Sequence, residues 1–455
     1  MRRTLPTLLV TTAMTAVLAL PAAAGLIPSV TTATIDSAVS QSSGTTDALL
    51  HLSHGVTVDQ LAGPAALRGI TLGSVFEAIG VVHARGSSTG FTALAATGLL
   101  SHVEEDAAVT TFTETSHQAT RGQELLDGAI TLPSGAIIDG TGVGVAVVDS
   151  GIDDTHPDLT NVARNVKAVP LFGGAVALPA TDVISLGGHG THVAGIVAGT
   201  GAASNGEIHG AATGATLYGV SAGTLISVHS GLESLEWVLD NHDLVSPAIR
   251  VVNNSWGSSG SGTPNPNSAL GKMIDALVND GVVVVWAAGN DGGNGSSATT
   301  SPTCAQQTPG NICVAAYDDQ NTGTRTGSIA GFSSRGTNGQ TSTYPDIAAP
   351  GANILATCRP YLPICATGFT GSTSYASLSG TSMAAPHIAG IVAQLLQVAP
   401  SLTPAQVEDL LEDTARRINE GLLSTDPANP TTPVSHDAGH GLVDVRAAVE
   451  ALLGL

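Results

Sequence analysis

From residue 140 onward the chain repeats one pattern: a short unbroken apolar run, a glycine-rich turn, then apolar positions at helical spacing. Gly144-Val145-Ala146-Val147-Val148 is such a run and ends at Asp149. Continuous rather than alternating apolarity predicts a strand buried on both faces of a parallel sheet. Runs at 215–220, 250–253, 281–287 and 311–316 predict further strands of this kind. Helical periodicity covers 268–278, and Ala384, Ile388, Ile391, Val392 and Leu395 mark the buried face of another helix. Thr403-Pro404-Ala405-Gln406 is a capping box with proline at the first helical position, predicting a helix to Arg417. Residues 421–437 are polar, contain proline and predict a loop. This succession implies a three-layer α/β domain.

The first quarter of the chain has a different texture. Arg2 and Arg3 precede an apolar stretch over 8–20, and Pro21-Ala22-Ala23-Ala24 supplies small residues for cleavage. Residues 1–24 therefore form an export leader. A retained membrane anchor is the alternative, disfavoured by the short apolar core and the small-residue exit. Residues 25–50 are rich in Ser, Thr and Ala. From about 50 to 112 the chain reads as a compact unit, with a strand at 90–94, a short helical piece at 95–100 and a strand at 102–106.

Composition narrows the function classes. The 455 residues include 55 glycines and 15 basic residues, only Lys167 and Lys272 being lysine, and the net charge is -21. No basic patch can form on such a chain, so a nucleic acid partner is excluded. The four cysteines are Cys304, Cys313, Cys358 and Cys365, which allow three pairings. Cys304–Cys313 with Cys358–Cys365 is preferred, because each bond closes a short loop and contributes about 2–3 kcal/mol. No Cys-x2-Cys spacing or neighbouring histidine suggests a metal cluster.

Three distant segments carry the chemistry. Asp149 ends a buried strand in Asp-Ser-Gly-Ile-Asp. His189 lies in Gly188-His189-Gly190-Thr191-His192. Ser382 lies in Gly380-Thr381-Ser382-Met383-Ala384-Ala385-Pro386-His387. A serine hydroxyl attacks an amide only when an imidazole takes its proton and a carboxylate orients that imidazole. The order Asp, His, Ser differs from that of chymotrypsin and of the α/β-hydrolases. The motifs are long, and over roughly residues 75–450 the chain resembles the subtilisin-like serine proteases.

The resemblance implies an α/β, three-layer catalytic domain over 113–455 with a central, mostly parallel sheet. A small α+β inhibitory propeptide domain precedes it over 25–112, with maturation near Phe112. Asp149 would orient, His189 act as general base and Ser382 as nucleophile. Asn290, in Gly289-Asn290-Asp291, would help form the oxyanion hole. Ser255, Trp256 and Gly257 would bind the substrate backbone and line the first specificity pocket, with the direction of the Trp256 ring left open. His192 is expected to be structural, and a zinc site at His189 and His192 is disfavoured by their spacing of three without an intervening glutamate.

The chemistry requires no cofactor. Structural calcium is common in the family, but this chain has no EF-hand loop and its ligands cannot be named from sequence. Partners would be extended or unfolded polypeptides and the chain's own propeptide, without a membrane anchor and with a monomer as the working form. Residues 25–112 and 113–455 are both net acidic, so apolar contacts and strand pairing would have to bind prosegment to enzyme.

The expected product is a secreted, extracellular endopeptidase. Its rivals are a narrow processing protease and a catalytically silent binding protein on the same scaffold. The interval from Asn290 to Ser382 is long for a compact member of the family, and the cysteine-bearing loops at 296–311 and 355–372 carry the excess. Whether they rim the cleft or simply stabilise the enzyme is open.

Overall fold

The computed structural model describes residues 32–106, 115–168, 175–177, 182, 187–222, 227–257, 263–368, 370–418, 421, 423–425 and 433–455. The leader at 1–24 and the expected maturation point at Phe112 lie outside them. The chain divides into two compact units, residues 1–109 and 110–455.

Within the first unit, five strands form one sheet in the order Thr34–Ile35, Leu100–Glu105, Thr45–Leu52, Val81–Ser87, Thr71–Phe76. Helices Ser37–Gln41, Val58–Ala66 and Ser88–Ala95 share a single core with it, including Leu50, Leu61, Val82, Phe91, Leu94 and Val103. The strand expected at 90–94 is a helix. Ser87 caps it by accepting from the Gly90 N–H, and Phe91, Leu94 and Ala95 fall on one buried face. Five apolar or small residues fit strand and helix alike; the cap and the i, i+3, i+4 spacing decide. The helical piece expected at 95–100 ends at Ala95, and the next strand begins at Leu100.

The second unit is built on a nine-stranded sheet. Seven strands run parallel: Ile347–Pro350, Asn311–Asp318, Val283–Ala287, Ile249–Asn254, Gly144–Asp149, Thr216–Ser221 and Val162–Ala168. Ser328–Ile329 and Ala175–Ala177 add antiparallel edges. All five predicted strands are present within a residue or two of their expected ends. Alternate side chains feed two cores. Val145, Val147, Val283 and Val285 face one side, whereas Ala146, Val148, Val284 and Trp286 face the other. Helices cover both faces, giving three layers.

The first layer contains His189–Ala198, Thr381–Val398 and Val445–Leu453, and the third contains Val228–Asn241 and Ala269–Asn279. In Thr381–Val398, Ile388, Ile391, Val392 and Leu395 are all essentially buried, each contributing about 1.5–3 kcal/mol. The capping box at Thr403 opens the helix Pro404–Thr414, which stops short of Arg417 because Arg416 turns to pair with Leu442. The segment expected as a loop at 421–437 contains a short antiparallel pair, Leu423–Thr425 with Pro433–Ser435. No helix among the described residues is long and apolar enough to cross a membrane.

Cys304 is bonded to Cys313 and Cys358 to Cys365. Helix His189–Ala198 lies so close to the strand Ile354–Thr357 that a Cβ on Gly195 would stand 2.1 Å from Thr357 Oγ1 and 2.9 Å from the Thr357 backbone nitrogen. Gly195→Ala must therefore separate helix and strand, at a cost of about 1–3 kcal/mol. A calorimetric melt is expected to show a lower Tm, and an unchanged Tm would contradict this contact.

Candidate active site

The carboxyl ends of three adjacent parallel strands gather the predicted residues. Asp149 is the last residue of Gly144–Asp149, Ser255 follows Ile249–Asn254, and Asn290 follows Val283–Ala287 by three positions. Open α/β sheets bind ligands at this edge because the chain reverses there and leaves a crevice.

Asp149 is wholly buried. Its Oδ1 accepts from the Ser150 N–H at 2.7 Å and from His189 Nδ1 at 2.7 Å. A carboxylate only accepts, so Nδ1 carries the proton and the other ring nitrogen, Nε2, is the acceptor of the neutral ring. Burial by itself would lower the His189 pKa. The charge and hydrogen bond of Asp149, with the charge of Asp182, outweigh it and raise the pKa above 6.5.

His189 opens the helix His189–Ala198. The glycine after it is required by contact, since a Cβ on Gly190 would stand 2.1 Å from the Gly151 carbonyl oxygen and 3.1 Å from Asp149 Cβ. The turn before it is packed by the second disulfide. The Ile364 N–H donates to Gly187, and the space beside Gly188 is filled by Cys365 Sγ, 2.6 Å from where a Cβ would lie. Between the two readings of the 355–372 loop, its disulfide-closed part is thus seen supporting the histidine turn. His192 is buried, with Nε2 within reach of the Ile354 and Ala376 carbonyls, a structural position.

Ser382 is the second residue of the helix Thr381–Val398. Its hydroxyl donates to the Ser255 carbonyl at 3.0 Å, not to His189, and the Ser255 hydroxyl donates back to the Ser382 carbonyl at 2.8 Å. That second bond has a cause in the sequence. Residue 386 is proline, so the Ser382 carbonyl lacks its helical i+4 donor, and Ser255 supplies one. Asn290 is oriented by the same helix end. Its Oδ1 accepts from the Thr381 N–H at 2.9 Å and hydroxyl at 3.1 Å, which leaves Nδ2 as its donor. Ser379, the neighbouring serine, is occupied elsewhere, accepting from the Asn353 N–H.

Trp256, Gly257, Asn290, Asp291, Ser301 and Ser382 line a pocket of about 210 Å³. The Trp256 ring answers the question left by the sequence. Its far edge lies against Gly231, and it meets Trp286 edge-on at 4.8 Å, so the indole packs on the core and presents one side to the pocket. Ser255 does not line this pocket; it braces the serine behind it.

Sequence reasoning missed Asp182, which lies beside the Asp149–His189 pair and is bonded to both neighbouring turns. Its only sequence signal is an acid seven positions before a histidine.

Among the described residues, Asp346, Glu408 and Glu412 are the one group able to offer three clustered metal-binding oxygens, within 4.8 Å of one another. Each of them already has a partner in the chain. Cys313 N–H donates to Asp346, Gly310 N–H donates to Glu408, and His440 stands 3.3 Å from Glu412. Burial works against a charge on His440, but Glu412 outweighs it and raises its pKa to about 9. Burial, then the charges of Asp346 and Glu412, hold the Glu408 pKa well above 4.5. A raised acid stabilises the fold below its ordinary pKa and loses that contribution as pH rises. Glu408→Gln is therefore expected to gain Tm over the wild type progressively from pH 5 to pH 8; a pH-independent difference would refute the assignment.

The model of the subtilase family matches residues 140–441. The chain is 35% identical over 318 residues to subtilisin amylosacchariticus of Bacillus subtilis subsp. amylosacchariticus, covering 68% of this chain and 66% of that protein. It is 35% identical to a subtilisin of Bacillus pumilus, covering 68% and 92% respectively. It is 34% identical over 379 residues to the M-protease of Shouchella clausii, covering 82% and 80%.

Proposed function

The chain belongs to the subtilase family, and we propose that it is a serine endopeptidase, exported as a precursor, whose triad is Asp149, His189 and Ser382. The observation that carries this reading is the 2.7 Å pair of buried Asp149 with half-buried His189 at the same sheet edge as Ser382 and its pocket.

Substrate binds as an extended strand along 255–257, so main-chain hydrogen bonds provide affinity for many sequences. The Ser382 hydroxyl leaves the Ser255 carbonyl and attacks the scissile carbonyl carbon while His189 Nε2 takes its proton. Asp149 remains ionised throughout, keeps the Nδ1–H tautomer and stabilises the imidazolium. Negative charge gathers on the former carbonyl oxygen, where Asn290 Nδ2 and the Ser382 N–H donate to it at the positive end of the helix. His189 then passes its proton to the leaving amine. A water repeats the sequence in reverse and frees the acyl group from Ser382. No step needs a cofactor.

Residues 25–112 serve as the inhibitory prosegment, removed by the enzyme's own cut near Phe112, and the mature enzyme works outside the cell as a monomer. The leader pattern at 1–24 and two disulfides support export, since such bonds persist in oxidising surroundings.

A fluorophosphonate is expected to label the wild type and not Ser382→Ala, and N-terminal sequencing to find a processed wild type beside an intact variant. Identical maturation of both in a protease-free preparation would overturn self-cleavage. The raised His189 pKa fixes a second expectation. The ring must be neutral to accept a proton, so kcat/KM is expected to rise with pH through a midpoint above 6.5. A midpoint well below 6 would contradict the pairing with Asp149.

A further inference from the structure

The Asp149–His189 pair is spanned by a carboxylate that has no part in the mechanism above. Asp182 is fully buried. Its Oδ1 accepts from the Ser150 hydroxyl at 2.7 Å, and its Oδ2 from the Thr191 N–H at 3.0 Å and hydroxyl at 2.6 Å. The two hydroxyl oxygens also accept, Ser150 Oγ from the Gly190 N–H at 2.9 Å and Thr191 Oγ1 from the Asp153 N–H at 2.9 Å. Ser150 follows Asp149, and Gly190 and Thr191 follow His189. Asp182 is thus the hub of a network joining the strand end that carries the acid to the helix end that carries the ring.

Each hydroxyl has a single proton, and both protons point to Asp182. Without that acceptor the hydroxyls would be free to rotate, and the Ser150–Gly190 and Thr191–Asp153 bonds would lose their fixed direction. An offset of an ångström between proton donor and acceptor is enough to cost about a hundredfold in rate.

We propose that Asp182 is a positioning residue for peptide hydrolysis, holding Asp149 and the His189 ring in mutual register while protons move through the ring. This rests on the roles assigned to Asp149 and His189 above. Asp182 touches neither substrate nor reacting atoms and acts through Ser150, Gly190 and Thr191.

The electrostatics give the role a signature that a merely structural tie lacks. Burial raises the Asp182 carboxyl to about 6, its hydrogen bonds from Thr191 and Ser150 oppose the rise, and the charge of Asp149 adds to it. The charge of Asp182 in turn raises His189. Among the described residues, the titratable groups facing this cluster are Asp149 on the strand, His189 at the helix start and His192 one turn on, the last pushed down to about 4 by burial and neutral at working pH. The acid limb of the rate, set by His189, therefore depends in part on the charge of Asp182.

The test compares mature wild type, Asp182→Asn and Ser150→Ala, with active sites counted by fluorophosphonate so that only competent molecules enter kcat. Asp182→Asn is expected to lower kcat about 10- to 100-fold with KM within about threefold. It should also move the acid limb about half a pH unit down. Ser150→Ala keeps the carboxylate and should lower kcat, with a smaller move of the acid limb than Asp182→Asn gives.

Wild-type kcat and acid limb per active site in Asp182→Asn, with only a lower Tm, would overturn the proposal and leave the peptidase reading intact. If Asp182→Asn yields no folded enzyme, Ser150→Ala decides: reduced kcat at constant KM supports the role, and wild-type kcat removes it. A wild type without peptidase activity, or a Ser382→Ala variant as active as wild type, would bring down the reading beneath it as well.

Discussion

One constraint organises the sheet edge of the second unit: a carboxylate is sealed at the end of an interior strand and must be compensated there. Asp149 has no exposure, and a buried charge without partners costs several kcal/mol. Two donors share one of its oxygens, the Ser150 N–H and the His189 ring. Meeting that requirement brings the start of the helix His189–Ala198 down onto the strand end, and the approach is close enough to exclude any side chain at 190. The placement of the ring and the tautomer it adopts follow from the need to satisfy Asp149, which together with Asp182 also raises the ring's pKa.

The sheet was legible because its strands are buried on both faces. Gly144–Asp149 and Val283–Ala287 are nearly all apolar, and few structures other than a covered parallel sheet accommodate such runs. The helix Ser88–Ala95 was not legible in the same way, since Gly90-Phe91-Thr92-Ala93-Leu94 fits either period until the Ser87 cap is recognised. The pair Leu423–Thr425 with Pro433–Ser435 was hidden because strands of three residues are too short to carry a periodic signal.

The site divides along the same line. Asp149, His189, Asn290 and Ser382 sit in motifs long enough to read directly. What supports them does not. Asp182 lies in a mainly apolar stretch outside any motif, and its partners Ser150 and Thr191 become meaningful only when the fold brings positions 150, 182 and 191 together. The packing of Cys365 against Gly188 is another case, because the sequence shows which cysteines are near one another and not what their sulfurs touch. Second-rank contacts of this kind are spatial facts without a linear signature.

Pro386 shows how an apparent defect is used. An ordinary residue there would close the hydrogen-bond ladder and retire the carbonyl four positions earlier. The imino acid leaves that oxygen vacant, and the Ser255 side chain, just past the end of a sheet strand, docks into it. The missing rung acts as a socket, fastening the front of the long helix to the sheet edge at the one point where the reactive hydroxyl emerges, while the remaining turns stay regular and apolar.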